Sequence, residues 1–410
     1  MSSRRVVVTG IGLLSALGTT REAVWSALIA GRCGIGDLTL FDGDGYRSRK
    51  AAEIPHYDRD AAFTERAWRR LSRSDQIAVI AAREALSDAG VVGSAVPPDR
   101  MGVILGTGTA DLKRNEEWYA EARRVGIRRA PPLKIFGHFP SNPSDVVATC
   151  FGCEGLKSSV LSACSSGTVA LGYAADAIAS GQLDLAIAGA SDVLCRLTFS
   201  GFNALRLVDK DPCRPFCRSR QGLNLGEASA MLVLEDLTQA GRRGANIYAE
   251  IVGHGVRCEA YHPTAPDPEG KGVAALIEDA LRSARISVNR VDHVNAHGTA
   301  TLQNDQAEAR GMRTVFGDHI RRVPVTSIKS MVGHCLSAAG AIEAATLAMS
   351  IARSTVPPTV NFRELDPECA GVDVVANEAR QMRIEYGVST SLAFGGNNAA
   401  VVMRRLGRTL

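Results

Sequence analysis

The chain repeats itself, and the repeat limits what it can fold into. YAEIVGHG (248–255) follows the pattern of RVVVTGIG (5–12), and HVNAHGTAT (293–301) that of VILGTGTA (103–110). SAAGAIEAATLAMSIARS (337–354) follows CSSGTVALGYAADAIASG (164–181), and LAFGGNNAAVVM (392–403) follows NLGEASAMLVLE (224–235). Four matches in one order indicate a duplicated strand and helix unit. The expected halves are residues 1–247, carrying insertions near 110–150 and 196–220, and residues 248–410. Alternating helices and near-continuously apolar strands imply α/β layers with buried mixed sheets. A site between two related halves is the natural expectation.

At 410 residues the chain exceeds the size of a single core, which agrees with two halves. Apolar content of 45% and 22% charge are those of a soluble globular protein, and the sequence holds no uncharged apolar run of membrane-spanning length. A cytoplasmic enzyme is expected, with no membrane partner. Ten scattered Cys form no disulfide framework, and Cys150-Phe-Gly-Cys153 has no second pair to complete a zinc site. The net charge of +4 is carried mainly by arginine pairs, among them Arg69-Arg70 and Arg128-Arg129. Without aromatic interleaving or a nucleic-acid motif they argue against DNA or RNA and for an acidic protein partner.

Within the first half, Ser159 to Asp192 reads as strand, sharp turn, small-residue helix, strand, with Cys164 at the turn. A helix apolar almost all round must be buried. Its N-terminus aims free N–H groups and the positive dipole end at the sulfur, which favours a thiolate. The second half places Asn295, His297, Thr299 and Thr301 at a strand end, Asp305 and Glu308 just after, and Lys329 and His334 before the mirror helix. In a duplicated fold equivalent strand ends meet, so Cys164, His297 and His334 are expected to converge as nucleophile and neighbouring base or donor. A buried Lys329 needs a partner, for which Glu308 and Asp305 are the expected groups. The loop Phe394-Gly-Gly-Asn-Asn398 offers backbone N–H groups for an oxyanion.

ACSSG around Cys164, NAHGTAT around His297, TLQND with Asp305, SIKSMVGHCLSAAGA with Lys329 and His334, and AFGGNN around Phe394 together resemble the elongating β-ketoacyl-[acyl carrier protein] synthases. The similarity covers essentially the whole chain. It implies a thiolase fold of five layers, αβαβα, a dimer across the central strands, and decarboxylative Claisen condensation of a Cys-bound acyl chain with a malonyl carrier-protein thioester. By this resemblance Cys164 is the nucleophile, His297 and His334 promote malonyl decarboxylation and hold the enolate, and the amides of Cys164 and Phe394 form the oxyanion hole. Thr299 and Thr301 match hydroxyls that bind phosphopantetheine, and Lys329, Asp305 and Glu308 match a supporting charge network.

The resemblance implies no cofactor beyond the phosphopantetheine borne by the acyl carrier protein, and no metal apart from a structural monovalent cation that some relatives hold near Asn295 and Glu343. Arg69, Arg70, Arg128, Arg129 and Arg206 fall where relatives present basic residues to the carrier protein. A homodimer is expected, with a heterodimer carrying a chain-length-factor-like subunit left open. So is the alternative of a non-catalytic, length-determining subunit, against which the presence of Cys164 and both His argues.

The chain departs from the family loop SFGFGGTN. Leu392 replaces the Phe that gates the acyl pocket, Ala393 replaces a flexible Gly, and Asn397 replaces Thr. A smaller gate opens the pocket mouth and Ala393 stiffens the hinge. That turns the expectation toward a specialised polyketide or polyene pathway. A thiolase would carry a second catalytic Cys near Phe394, and an initiating synthase would carry Asn in place of His334.

Overall fold

A computed structural model describes residues 4–91, 96–110, 112–132, 139 and 141–407. Part of the first insertion, residues 111, 133–138 and 140, lies outside the described residues. Eleven strands make one twisted sheet system: β1 (Val6–Ser15), β2 (Met101–Gly106), β3 (Lys157–Val160), β4 (Leu185–Asp192), β5 (Ala228–Asp236), β6 (Ala249–Cys258), β7 (His293–Asn295), β8 (Pro324–Thr326), β9 (Asp373–Val374), β10 (Tyr386–Ser391) and β11 (Asn397–Arg404). Their order is β9-β8-β7-β10-β11-β6-β1-β5-β4-β2-β3. Six helices cover the sheets: α1 (Arg73–Ala89), α2 (Asn142–Phe151), α3 (Ser166–Ala179), α4 (Lys271–Ala284), α5 (Leu302–Phe316) and α6 (Ala339–Arg353).

The repeat read in the sequence is a repeat of topology. In the first half β1 and β5, then β5 and β4, pair antiparallel, while β4 with β2 and β2 with β3 pair parallel. In the second half β6, β11, β10, β7 and β8 pair in the same sequence of directions. The halves join where β1 meets β6 antiparallel over Val6–Val8. Helices α1 and α2 pack on the outer face of the first sheet, α4 and α5 lie outside the second, and α3 and α6 fill the space between. This is the five-layer αβαβα arrangement of the thiolase fold.

The central pair explains its own composition. Residues Ala339–Ile351 of α6 are all buried, and α3 exposes only Tyr173 and Asp176 before its last turn. Where the two helices cross, a Cβ on Gly167 would lie 2.8 Å from the Ala341 nitrogen, and one on Gly340 2.1 Å from Thr168 Oγ1. Only glycine permits that approach. Side chains from both sheets and both central helices form one apolar cluster, so the two halves share a core. Outside it, α1 is set by a capping box, in which Ser72 and Asp75 satisfy each other's backbone amides, and is stopped at left-handed Gly90.

Candidate active site

Cys164 sits on a strained turn. β3 ends at Val160, and Ala163 takes a left-handed φ of 51°, which a residue with a Cβ adopts at a cost. A single 3-10 turn, Ala163–Ser165, then leads into α3, so the sulfur lies at the head of a buried helix. The second half copies the device: Leu336, at φ 53°, opens the turn Leu336–Ala338 ahead of α6.

The expected thiolate is not what this environment favours. Cys164 is 7% exposed. Burial pushes its thiol up to about 11, against the lowering effect of Lys329 and of the Phe394 amide hydrogen bond to the sulfur, with Asp192 and Glu343 adding to the rise. The helix N-terminus does not overcome the loss of water, and burial favours the thiol form of Cys164.

Both expected histidines meet it. Cys164, His297 and His334 line one cavity of about 720 Å³, together with Thr299, Thr301, Leu392 and Phe394. The two imidazoles stand edge to face with centroids 5.4 Å apart. His334 Nδ1 accepts from the Leu336 amide at 3.2 Å, and Lys329 Nζ reaches His297 Nδ1 at 3.2 Å while donating to the His297 carbonyl at 2.6 Å. Each ring thus uses Nδ1 as an acceptor, which leaves Nε2 carrying the proton. Burial, with the Lys329 charge beside both and each other's proximity felt at His297, holds the two rings well below the usual imidazole range. Two neutral donors therefore serve the cavity.

Lys329 has a different partner from those expected. Its ammonium pairs with Glu343 on α6, where both groups are 1% exposed. Glu308 instead accepts the amides of His297 and Gly298, each at 2.7 Å, and a bond from Thr390 Oγ1 at 2.9 Å. Asp305 accepts the amides of Phe216 at 2.7 Å and Ala300 at 3.1 Å and faces Arg220. The two carboxylates on α5 fix the backbone of the 297–301 loop, and the lysine is neutralised from the mirror helix. Glu343 on α6 reaches the ammonium while the carboxylates of α5 are taken up by backbone amides, so sequence proximity alone favours the wrong helix.

The 392–398 loop is laced down by Ala393 N to Asn398 Oδ1 at 3.2 Å and Gly395 N to the Pro263 carbonyl at 2.7 Å. Gly395 and Gly396 both take positive φ, 79° and 71°, so this turn needs glycine. Phe394 stacks on Phe202 with centroids 5.4 Å apart, and Phe202 meets His334 edge-on at 6.4 Å. Phe202, on the helix Arg196–Ala204, carries no sequence signal, because it lies in a loop-rich insertion without a distinguishing motif. Leu392 is 6% exposed and packs among second-half core residues while lining the cavity. Arg69, Arg70, Arg128, Arg129 and Arg206 are all exposed, and Arg206 also lines the cavity.

The comparisons with known proteins agree with this geometry. The model of the β-ketoacyl synthase N-terminal domain matches residues 3–240, and that of the C-terminal domain residues 248–363. The chain belongs to the β-ketoacyl synthase family. This ketosynthase is 37% identical to 3-oxoacyl-[acyl-carrier-protein] synthase 2 of Coxiella burnetii, over 99% of this chain and 100% of the relative. It is 38% identical to the tetracenomycin polyketide synthase ketoacyl synthase alpha subunit of Streptomyces glaucescens, over 98% of each. Among solved structures, the ishigamide ketosynthase/chain length factor superposes with a TM-score of 0.93 at 34% identity, covering 99% of this chain and 100% of that one. A type II polyketide ketosynthase in complex with its acyl-carrier protein superposes at 0.92 with 30% identity, over 98% and 100%. Among the described residues no helix of the ketosynthase is long and apolar enough to cross a membrane.

Proposed function

We propose that the protein catalyses decarboxylative Claisen condensation, extending an acyl chain on Cys164 by two carbons from malonyl-[acyl carrier protein]. The observation that carries this reading is the shared cavity: the Cys164 thiol and the Phe394 loop face two imidazoles whose Nδ1 atoms are already occupied. In the first half-reaction the Cys164 sulfur attacks the acyl thioester. The carbonyl oxygen takes its charge against the Cys164 and Phe394 amides, and phosphopantetheine leaves as a thiol with the Cys164 proton.

In the second, malonyl thioester loses carbon dioxide and its oxygen accepts from Nε2 of His297 and His334. The carbanion attacks the acyl-Cys carbon, Cys164 leaves as thiolate and takes up one proton, and a 3-oxoacyl thioester departs. Neutral imidazoles with the proton on Nε2 suit this step because each presents one N–H to the oxygen that gains charge. Lys329, held by Glu343, orients His297, while Glu308 and Asp305 hold its loop. Thr299 and Thr301, hydrogen-bonded to each other at 2.9 Å, stand at the cavity wall for the phosphopantetheine arm.

The arm arrives with the carrier protein, so no resident cofactor is part of the mechanism. Asn295 Oδ1, Glu343 Oε2 and Ser389 Oγ are buried acceptors without a partner, and Asn295 pairs in register with Ser389 while donating to the Glu343 carbonyl at 2.9 Å. That donor set fits a structural monovalent cation. The exposed arginines Arg69, Arg70, Arg128, Arg129 and Arg206 suit an acidic carrier protein. The open edge of β3 suits pairing with a second subunit, a copy of this chain or a chain-length-factor-like partner. The departures at Leu392, Ala393 and Asn397 favour a specialised polyketide or polyene pathway. Transfer of acyl groups from loaded carrier proteins to Cys164, followed by malonyl-dependent elongation, tests the function.

A further inference from the structure

One hydroxyl on the cysteine helix turns away from its own helix. A threonine inside a helix commonly donates to the carbonyl three or four residues back, as Thr346 on α6 does to Ile342 at 2.8 Å. Thr168 on α3 instead meets Ser391, the last residue of β10, with 2.8 Å between the two hydroxyl oxygens. Both side chains are buried. The backbone of α6 covers them: a Cβ on Gly340 would lie 2.1 Å from Thr168 Oγ1 and 2.7 Å from Ser391 Oγ. One hydrogen bond therefore sits where α3, α6 and β10 meet.

The pair stands at the root of the two segments that serve the nucleophile. Thr168 lies one turn along the helix from Cys164, and only Leu392 and Ala393 separate Ser391 from Phe394. Ser391 is itself fixed by its pairing with Ala399 of β11. The turn Ala163–Ser165 packs against the turn Phe394–Gly396, and Cys164 and Phe394 line the same cavity. Thr168 and Ser391 do not line it. They are 223 residues apart in sequence, so contacts between the halves, not the chain itself, set how the two turns meet. Apolar packing is non-directional, whereas a hydrogen bond has a set length and angle.

We propose, resting on the condensing reading, that Thr168 and Ser391 are positioning residues for the oxyanion site: their hydrogen bond fixes the head of α3, with the Cys164 amide, against the strand end that leads to the Phe394 amide. In acyl transfer the Cys164 sulfur bonds to the thioester carbon and the carbonyl oxygen takes the charge between two amides supplied by different halves. The bond to the departing thiol then breaks, and that thiol takes up the Cys164 proton. Two donors on separate segments act together only while their spacing holds, and such sites tolerate errors of about 0.5 Å. Alkylation by iodoacetamide forms a sulfur–carbon bond as iodide leaves and the thiol proton passes to solvent. It develops no oxyanion, so it reports on Cys164 without reporting on the amides.

The test compares two second-order rates at Cys164 in the whole protein at one pH: acylation by N-acetylcysteamine thioesters of graded chain length, and alkylation by iodoacetamide. Both are read by mass, with Cys164→Ala as blank. Thr168→Val, which keeps the shape and removes the hydroxyl, is expected to slow acylation about tenfold or more, as small misplacements in a catalytic site do. Ser391→Ala is expected to do the same, and the double variant to be no slower than either single one. Alkylation is expected to keep its wild-type rate in all three, and Thr168→Ser to restore acylation. Wild-type acylation in both single variants overturns the assignment, as does an equal fall in both rates or a double variant in which the losses add. Should Thr168→Val fail to fold, Ser391→Ala, which only removes an atom, decides by the same two rates. A wild-type protein that is alkylated but never acylated refutes the condensing reading itself, and the positioning role with it, before any variant is compared.

Discussion

Lys329 Nζ lies 2.6 Å from the carbonyl oxygen of His297 and 3.2 Å from its Nδ1, so one ammonium fixes both the backbone and the ring of the same histidine. Glu343 closes the contact from α6. Removing one partner of a buried pair leaves the other uncompensated, at about 3–5 kcal/mol. Lys329→Met is therefore expected to lower the thermal midpoint markedly, and the Lys329→Met/Glu343→Leu double variant to recover most of it. Both are expected to decarboxylate malonyl-[acyl carrier protein] far more slowly than wild type. A single variant as stable and as active as wild type contradicts the coupling.

The buried thiol makes a statement about pH. With the thiol pushed up to about 11, thiolate is a trace species at neutral pH, and its fraction rises tenfold per pH unit until the midpoint is approached. Alkylation of Cys164 in the free protein should climb steadily from pH 7 to pH 10. A rate that levels off below pH 9 would mean that the helix N-terminus and Lys329 outweigh burial.

The proposed carrier-protein docking surface is one of exposed charge. Reversing Arg128 and Arg129 to Glu should raise KM for carrier-borne substrates several-fold, with a steep salt dependence in wild type that the variant loses. Small thioester mimics, which need no steering, should be turned over unchanged. Equal effects on both kinds of substrate remove the docking assignment.

Leu392 tests the acyl pocket. It lines the cavity and packs in the same core cluster as Phe216 and Ala296, so Leu392→Phe adds volume where little is free. Overpacking of this kind costs about 1–3 kcal/mol. The variant is expected to accept a narrower range of acyl chains on Cys164, and an unchanged chain-length profile contradicts the gating role.

Much of this was legible in the residues because the fold is doubled. Patterns that are ambiguous once, such as VILGTGTA or HVNAHGTAT, define a strand end when they occur twice in order, and the two small-residue helices had to be buried wherever they lay. Cys164, His297 and His334 were placed together on that ground, and the cavity brings them together. What was misread depended on depth and direction. A helix N-terminus argues for a thiolate in water, yet at 7% exposure desolvation wins. Glu308, close to His297 in sequence, looked like the partner of Lys329, but its side chain turns to backbone amides and the ammonium is met from α6. Phe202 carried no motif, because it lies on a helix inside a loop-rich insertion.

The most direct measurement is the intact mass of the purified protein after incubation with carrier proteins bearing acyl groups of graded length, then with malonyl-[acyl carrier protein]. The account predicts an acyl adduct on wild type, none on Cys164→Ala, and discharge of the adduct as a 3-oxoacyl thioester when malonyl substrate is added. Adducts of equal extent on wild type and Cys164→Ala, or an acyl-Cys164 species that malonyl substrate fails to elongate, would contradict it.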